Sequence, residues 1–298
     1  MKISKKWLGN IMLFLAAMIW GGAFVAQTQA MEHAEPFTFQ AARFFLGGLV
    51  LIPVIMIRDK KGNRKKPVTK EQKKHQLFAG LVCGLILFAA CSLQQLGLAD
   101  ELDAGKSGFI TSLYIILVPI FGLFLKKRPK PWVWGSIVLA LVGFYMLCGA
   151  GRFSMNKAEG LTLLCAVIFT FHIMFIDHVG STVDGVRMSC MQFMVCGGIS
   201  LVVALIAETP TWDRLAQCWL PIAYTGILSS GVGYTFQILG QEYTEPTTAS
   251  LLMSLESVFS AIFGALILMQ WLKPLELAGC TLVFAGVVIS QLPGRKSS

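Results

Sequence analysis

Charge is scarce in this sequence. Asp, Glu, Lys and Arg make up 14% of its 298 residues, whereas hydrophobic residues make up 55% and the mean hydropathy is +0.67; an ordinary soluble domain carries about 25% charge. A soluble fold has nowhere to hide that much apolar surface. A long hydrophilic tract is also missing: the longest, 58–76, is too short for a nucleotide-binding domain of about 100 residues. The chain therefore supplies no ATPase of its own. The eight cysteines (Cys83, Cys91, Cys148, Cys165, Cys190, Cys196, Cys218 and Cys280) fall in or beside apolar runs and none shows CxxC spacing. They read as small buried hydrophobes, with no metal site, cofactor or disulfide framework. Clustered His, Asp or Glu at span ends is absent, as is an exposed nucleophile beside a base, which argues against an enzyme.

What is abundant is uncharged apolar sequence. A hydrocarbon core roughly 30 Å thick takes about 20 apolar residues per helical crossing. Runs of that kind lie at 8–27, 37–57, 77–99, 107–125 and 132–148, then at 160–176, 188–207, 218–241, 247–269 and 277–292. The first has the basic start of a signal peptide, but 7–31 is uncharged over 25 residues, longer than a signal core, so a retained first span is expected. With ten crossings, 19 of the 25 Lys and Arg fall on one side and 5 on the other, and Arg43 lies within a span. Such a bias places both termini in the cytoplasm, in a cell membrane crossed many times. The clusters RDKKGNRKK and KKRPK then sit beside anionic headgroups of the bilayer and do not point to nucleic acid.

The two halves repeat each other. At an offset of 142, Ser112 falls on Ser254, Leu113 on Leu255, IFG at 120–122 on IFG at 262–264, and Gln95 on Gln237. At 143, Pro131 falls on Pro274 and Gly143 on Gly286, and a looser match sets Gly9 on Gly160. Because each half has an odd number of spans, the second enters from the opposite side, giving an inverted repeat. The expected fold is an all-α integral membrane protein of ten transmembrane helices in two inverted five-helix repeats, 1–150 and 151–298.

Specific segments carry a resemblance. The opening IWGGAFV around Trp20 and Gly21, Arg43 followed by Phe44, the run SGFITSLYIILVPIFGLFL, and the Gly-rich last helices PWVWGSIVLALVGFYML and PLELAGCTLVFAGVVIS resemble the drug/metabolite transporter superfamily, EamA type. The resemblance covers nearly the whole chain. It implies a central cavity between the repeats and carriage of metabolites, amino acids or drugs, often outward. Where such families often repeat a Trp in the sixth span, this chain has Phe171 and His172.

An ionisable side chain at mid-membrane costs roughly 2.5–3.5 kcal/mol on insertion scales, so it has a partner, a wet cavity or a task. Arg43, His172 and Glu256 are such residues. Glu256 can bind a proton or a cationic solute, or form a structural ion pair. Arg43 shares a helical face with Gln40 and Gly47 and can attract a carboxylate, or pair with Glu256. His172 can relay protons or serve as an interhelical donor. Glu256 and His172 are thus the proton-coupling candidates. Ser230, Tyr234 and Gln237 recur on one face of a glycine-rich span that can unwind toward a ligand or pack closely. Gln94 and Gln95 occupy the corresponding place in the first half. Trp20 and Tyr114 can line a cavity, and Ser254 lies on a small-residue face with Ser250, Ser257 and Ala261. GLVCG at 80–84 reads as a packing seam. DELDAGKS at 100–107 ends like a phosphate loop, but begins with Asp in place of Gly and carries three repelling carboxylates.

The expectation is a secondary transporter of a small-molecule substrate, exporting by alternating access, with substrate identity and oligomeric state open. The alternatives are a channel-like facilitator and an integral-membrane lipid-handling enzyme.

Overall fold

The computed structural model describes residues 4–62, 65–100, 102–126, 129–147, 156–269, 271 and 273–291. Cys148, Glu101, Arg64, Lys127, Arg128 and Leu292, which figure in the sequence expectations, lie outside the described residues. The described chain is helical throughout. In order it runs α1 (Lys5–Ala30), α2 (Pro36–Lys60), α3 (Lys70–Ala99), α4 (Ala104–Thr111), α5 (Tyr114–Phe124), α6 (Pro131–Leu147), α7 (Lys157–Val179) and α8 (Gly185–Ala207). There follow α9 (Trp212–Gln217), α10 (Trp219–Ala223), a π-helical stretch (Tyr224–Tyr234), α11 (Thr235–Gln241), α12 (Pro246–Met253), α13 (Leu255–Ile267) and α14 (Pro274–Gln291).

Local sequence explains the helix starts. Thr69 with Gln72, and Asn156 with Glu159, form reciprocal capping boxes that satisfy the first amides of α3 and α7. Pro36 and Pro246 open α2 and α12, where the missing N–H costs nothing. Seven helical rods are long and apolar enough to cross a bilayer: α1, α2, α3, α4 with α5, α7, α8, and α12 with α13. The apolar stretches of α6 and α14 are shorter, and the eighth expected span is divided among α10, the π-helical stretch and α11. Spans four and nine are each broken rather than continuous, at Ser112–Leu113 and at Ser254. There the hydroxyls of Ser254 and Ser257 donate back to the carbonyls of Leu251 (2.9 Å) and Ser254 (2.7 Å), drawing the backbone out of the α ladder.

Contacts between the halves recur in pairs. A Cβ on Gly143 of α6 would lie 2.6 Å from the Gly279 carbonyl oxygen and 2.8 Å from the Val283 nitrogen of α14. One on Gly286 of α14 would lie 2.8 Å from the Ser136 carbonyl oxygen and 3.2 Å from the Ala140 nitrogen of α6. These are the same two contacts with the helices exchanged. Likewise Gly97 of α3 abuts Ala158 and Thr162 of α7, and Gly240 of α11 abuts Gly9 and Leu13 of α1. Small residues here let backbones approach as they do in membrane helix pairs. Gly80 and Gly84 are also a seam, against Met191 and Val195 of α8.

α2 and α8 are tied at both ends. The Glu208 carboxylate accepts from the Phe37 amide (2.8 Å), the Thr38 amide (2.7 Å) and the Thr38 hydroxyl (2.7 Å), capping the positive end of α2. At the other end Arg187 pairs with Asp59, and Arg58 lies 3.6 Å from Asp184. Gln76 both donates to the Asp184 carbonyl (3.3 Å) and accepts from its amide (2.8 Å).

Candidate functional site

The centre of the bundle holds a tight cavity of about 30 Å³. Its aromatic wall is set by α1 and α7. Trp20 and Phe24 lie one turn apart on α1, and Phe169 and Ile173 lie one turn apart on α7. Trp20 and Tyr234 approach at 4.8 Å between ring centroids, and the indole Nε1 donates to the carbonyl of Ser229 at 3.3 Å. That carbonyl belongs to the π-helical stretch, whose looser turn offers backbone oxygens to outside donors. Gly233 is required at this spot, since a Cβ would stand 2.8 Å from the indole nitrogen.

The polar content of the cavity centres on a guanidinium and a carboxyl group, each held by a neutral partner. Arg43 is 2% exposed, and its Nη1 donates to Gln27 Oε1 at 2.6 Å; Gln27 is itself oriented by donating to the Ala23 carbonyl. The guanidinium lies 4.6 Å from the centroid of the Phe44 ring, and its Nε and Nη2 have no hydrogen-bond partner. Glu256 is 4% exposed and accepts from the Tyr114 hydroxyl at 2.9 Å. Arg43 and Glu256 both line the cavity, yet no ion pair joins them. A buried guanidinium and a buried carboxyl group with no pair between them leave a site with a cationic pole and an acidic pole.

Gln94 and Gln237 complete the polar lining. Gln94 donates to Thr111 at 3.2 Å, whereas Gln237 Oε1 has no partner. The matched contacts of Gly97 and Gly240, 143 residues apart, make Gln94 the positional counterpart of Gln237, one residue off the Gln95 match at 142. The cavity also brings positional counterparts face to face: the Ser112 hydroxyl donates to the Ser254 carbonyl (3.4 Å) and Tyr114 bonds Glu256, each across 142 residues.

Of the residues singled out from sequence, Trp20, Arg43, Gln94, Tyr114, Tyr234, Gln237 and Glu256 therefore meet around one cavity. The others sit elsewhere. Gln40 bridges the hydroxyls of Ser92 and Ser200, both at 3.0 Å. Gln95 is wholly buried with neither amide atom bonded. His172 belongs to a buried trio: its Nε2 is 3.1 Å from Gln192 Oε1 and 3.3 Å from Cys83 Sγ. Ser230 packs on Gly47, and Ser254 uses its hydroxyl on its own helix. Gln27 and Thr111 were missed. Gln27 was within reach, since it falls three and seven residues beyond Phe24 and Trp20, on their face of α1.

Comparison with known proteins places this geometry. The profile of the EamA-like transporter family matches the chain twice, over 7–149 and 156–292. An uncharacterised transporter of Archaeoglobus fulgidus is 29% identical over 290 residues, covering 97% of this chain and 87% of that one. The threonine/homoserine exporter RhtA of Escherichia coli is 26% identical over 305 residues, covering 98% and 94%. A crystal structure superposes with a TM-score of 0.76 at 18% identity over 95% of this chain and 96% of that one, a likeness of fold. An apolar helical bundle with a buried bipolar cavity, matched end to end by that profile, belongs to the EamA-like transporter family of the drug/metabolite type: a multi-pass membrane transporter of small molecules.

Proposed function

We propose that the chain is a proton-coupled exporter of small zwitterionic metabolites, amino acids foremost, working by alternating access. Its two halves, 1–150 and 151–298, are five-crossing inverted repeats that rock about the central cavity, with both termini cytoplasmic. The exchanged contacts of Gly143 with Gly286 and of Gly97 with Gly240 support the repeat. The bias of basic residues supports the orientation. Similarity to an exporter of threonine and homoserine supports direction and substrate.

The observation that carries this reading is the unpaired approach of Arg43 and Glu256 to one cavity. A carboxylate reaching Arg43 finds two guanidinium nitrogens without partners, in the planar geometry that binds it bidentately. An ammonium reaching Glu256 replaces the proton that otherwise neutralises this buried acid. Glu256 holds the proton or the ammonium, never both. Solute leaving the cytoplasm is thereby exchanged for a proton coming in, and Tyr114 keeps the carboxyl oriented through either state.

The test uses purified protein in liposomes with an acidic interior and labelled threonine, homoserine and a cationic drug outside. The expected result is protein-dependent accumulation of the amino acids above the external concentration. Equilibration without accumulation is the outcome for a facilitator and contradicts the coupling, and absence of flux for every solute overturns the reading.

A further inference from the structure

The lining of the central cavity holds a polar group that neither ionisable side chain accounts for. Most of the other polar groups there are already engaged. The Trp20 indole donates to the Ser229 carbonyl, the Gln94 amide to Thr111 and the Tyr114 hydroxyl to Glu256, while Gln27 Oε1 accepts from Arg43. Among the described lining residues, the buried side-chain polar atoms left without a partner are Nε and Nη2 of Arg43 and Oε1 of Gln237. The two nitrogens are donors and answer the carboxylate of a solute, and the carboxyl group of Glu256 answers its ammonium. Gln237 Oε1 is left over. It is an acceptor on a residue 2% exposed, and a buried acceptor is costly until a donor reaches it.

Gln237 is also held in register from both sides. One turn before it, Gly233 seats against the Trp20 indole and the Tyr234 ring approaches Trp20 at 4.8 Å. One turn after it, Gly240 abuts Gly9 and Leu13 of α1, and Gln241 Nε2 donates to the Ile173 carbonyl at 3.0 Å. A strip of α11 packed in this way cannot turn the amide out toward water. At about 30 Å³ the cavity is far smaller than an amino acid, so solute enters as the lining spreads. What it must satisfy on arrival is the set of lining atoms that have no partner. A hydroxyl is the smallest group that serves Gln237, and it does so whichever way the amide is turned, because it both donates and accepts.

We infer that Gln237 sets the solute specificity of the cavity by hydrogen-bonding a side-chain hydroxyl, so that short hydroxylated amino acids are taken in preference to their methyl isosteres. The inference rests on the transport reading above and narrows its substrate class. A solute with a methyl group in the same place leaves the Gln237 acceptor buried and unfilled, and sites built to bond a hydroxyl reject such analogues strongly.

The test reads binding before flux. Labelled threonine is displaced from the purified protein in detergent by threonine, homoserine, valine or norvaline. Valine and norvaline carry a methyl group where threonine and homoserine carry the hydroxyl, at nearly the same volume. The wild-type protein is expected to bind each isostere about tenfold or more weakly than its hydroxylated partner. In Gln237→Met that ratio falls close to one, and competition for uptake in liposomes shows the same loss of discrimination. A Gln237 that is only structural would weaken every solute in proportion and keep the ratio, which overturns the inference. A wild-type protein that binds valine as tightly as threonine overturns it too, and that result needs no variant to fold. Gln237→Leu gives the same readout if Gln237→Met is not monodisperse. Threonine that neither binds nor moves overturns the transport reading and this inference together, whereas threonine that moves without discrimination overturns the inference alone.

Discussion

Arg43 owes its place to three neutral neighbours. Gln27 accepts from it, and Phe44 and Phe39 face the guanidinium, so the charge is kept inside the bundle without being neutralised. Replacing it with Gln removes the carboxylate pole while keeping volume. Flux of threonine through Arg43→Gln is expected to show a KM raised about tenfold or more, the loss of one charge-assisted pair. Flux of an amine that lacks a carboxylate is expected to be little changed. Equal loss for both solutes would mean that Arg43 is structural. The polar anchors Arg43 and Glu256 were legible in the sequence because charge is so rare in these runs. Gln27 was not, because an uncharged amide does not stand out until Trp20 and Phe24 are seen on the same wall. His172 stood out for the same reason as Arg43, yet it lies outside the cavity lining, with its Nε2 held by Gln192 and Cys83 and its Nδ1 without a partner.

At the scale of helices, hydropathy located the rods but not their breaks. Nothing in Ser112 or Ser254 announces a helix interruption: the Ser254 hydroxyl turns back on its own backbone and the Ser112 hydroxyl reaches across to the Ser254 carbonyl, and neither contact is visible without the fold. The glycines at 231 and 233 left unwinding and close packing both open, and the structure makes the stretch around them π-helical. Gly143 and Gly286 give a direct test of close packing. Gly143→Val puts methyl groups against the α14 backbone and is expected to cost about 1–3 kcal/mol by overpacking. The readout is a lower midpoint in thermal unfolding monitored by monodispersity, and Gly286→Val should behave alike. Gly105→Val, with open space around its site, should leave the midpoint unchanged. The α2 cap is a milder case. Glu208→Gln weakens three hydrogen bonds at the start of α2, and about 1 kcal/mol is expected to be lost. Flux should persist, because Glu208 does not line the cavity.

For the whole molecule, two related halves make a site that neither contains alone: Arg43 and Tyr114 come from the first, Tyr234 and Glu256 from the second. The repeat was visible in the sequence from IFG and the paired serines, but its register near Gln94 required the contacts of Gly97 and Gly240. Impermeant thiol labelling of single cysteines at Lys61 and Trp212 tests the orientation. Labelling of Trp212→Cys in intact cells, with Lys61→Cys labelled only after permeabilisation, is the expected result, and the reverse would invert the topology. The central claim is that Glu256 exchanges proton for solute. In liposomes with an acidic interior, Glu256→Gln is expected to abolish accumulation of threonine driven by the pH gradient and to weaken exchange of labelled for unlabelled threonine, because a neutral amide holds neither the proton nor the ammonium. Undiminished accumulation by this variant would contradict it.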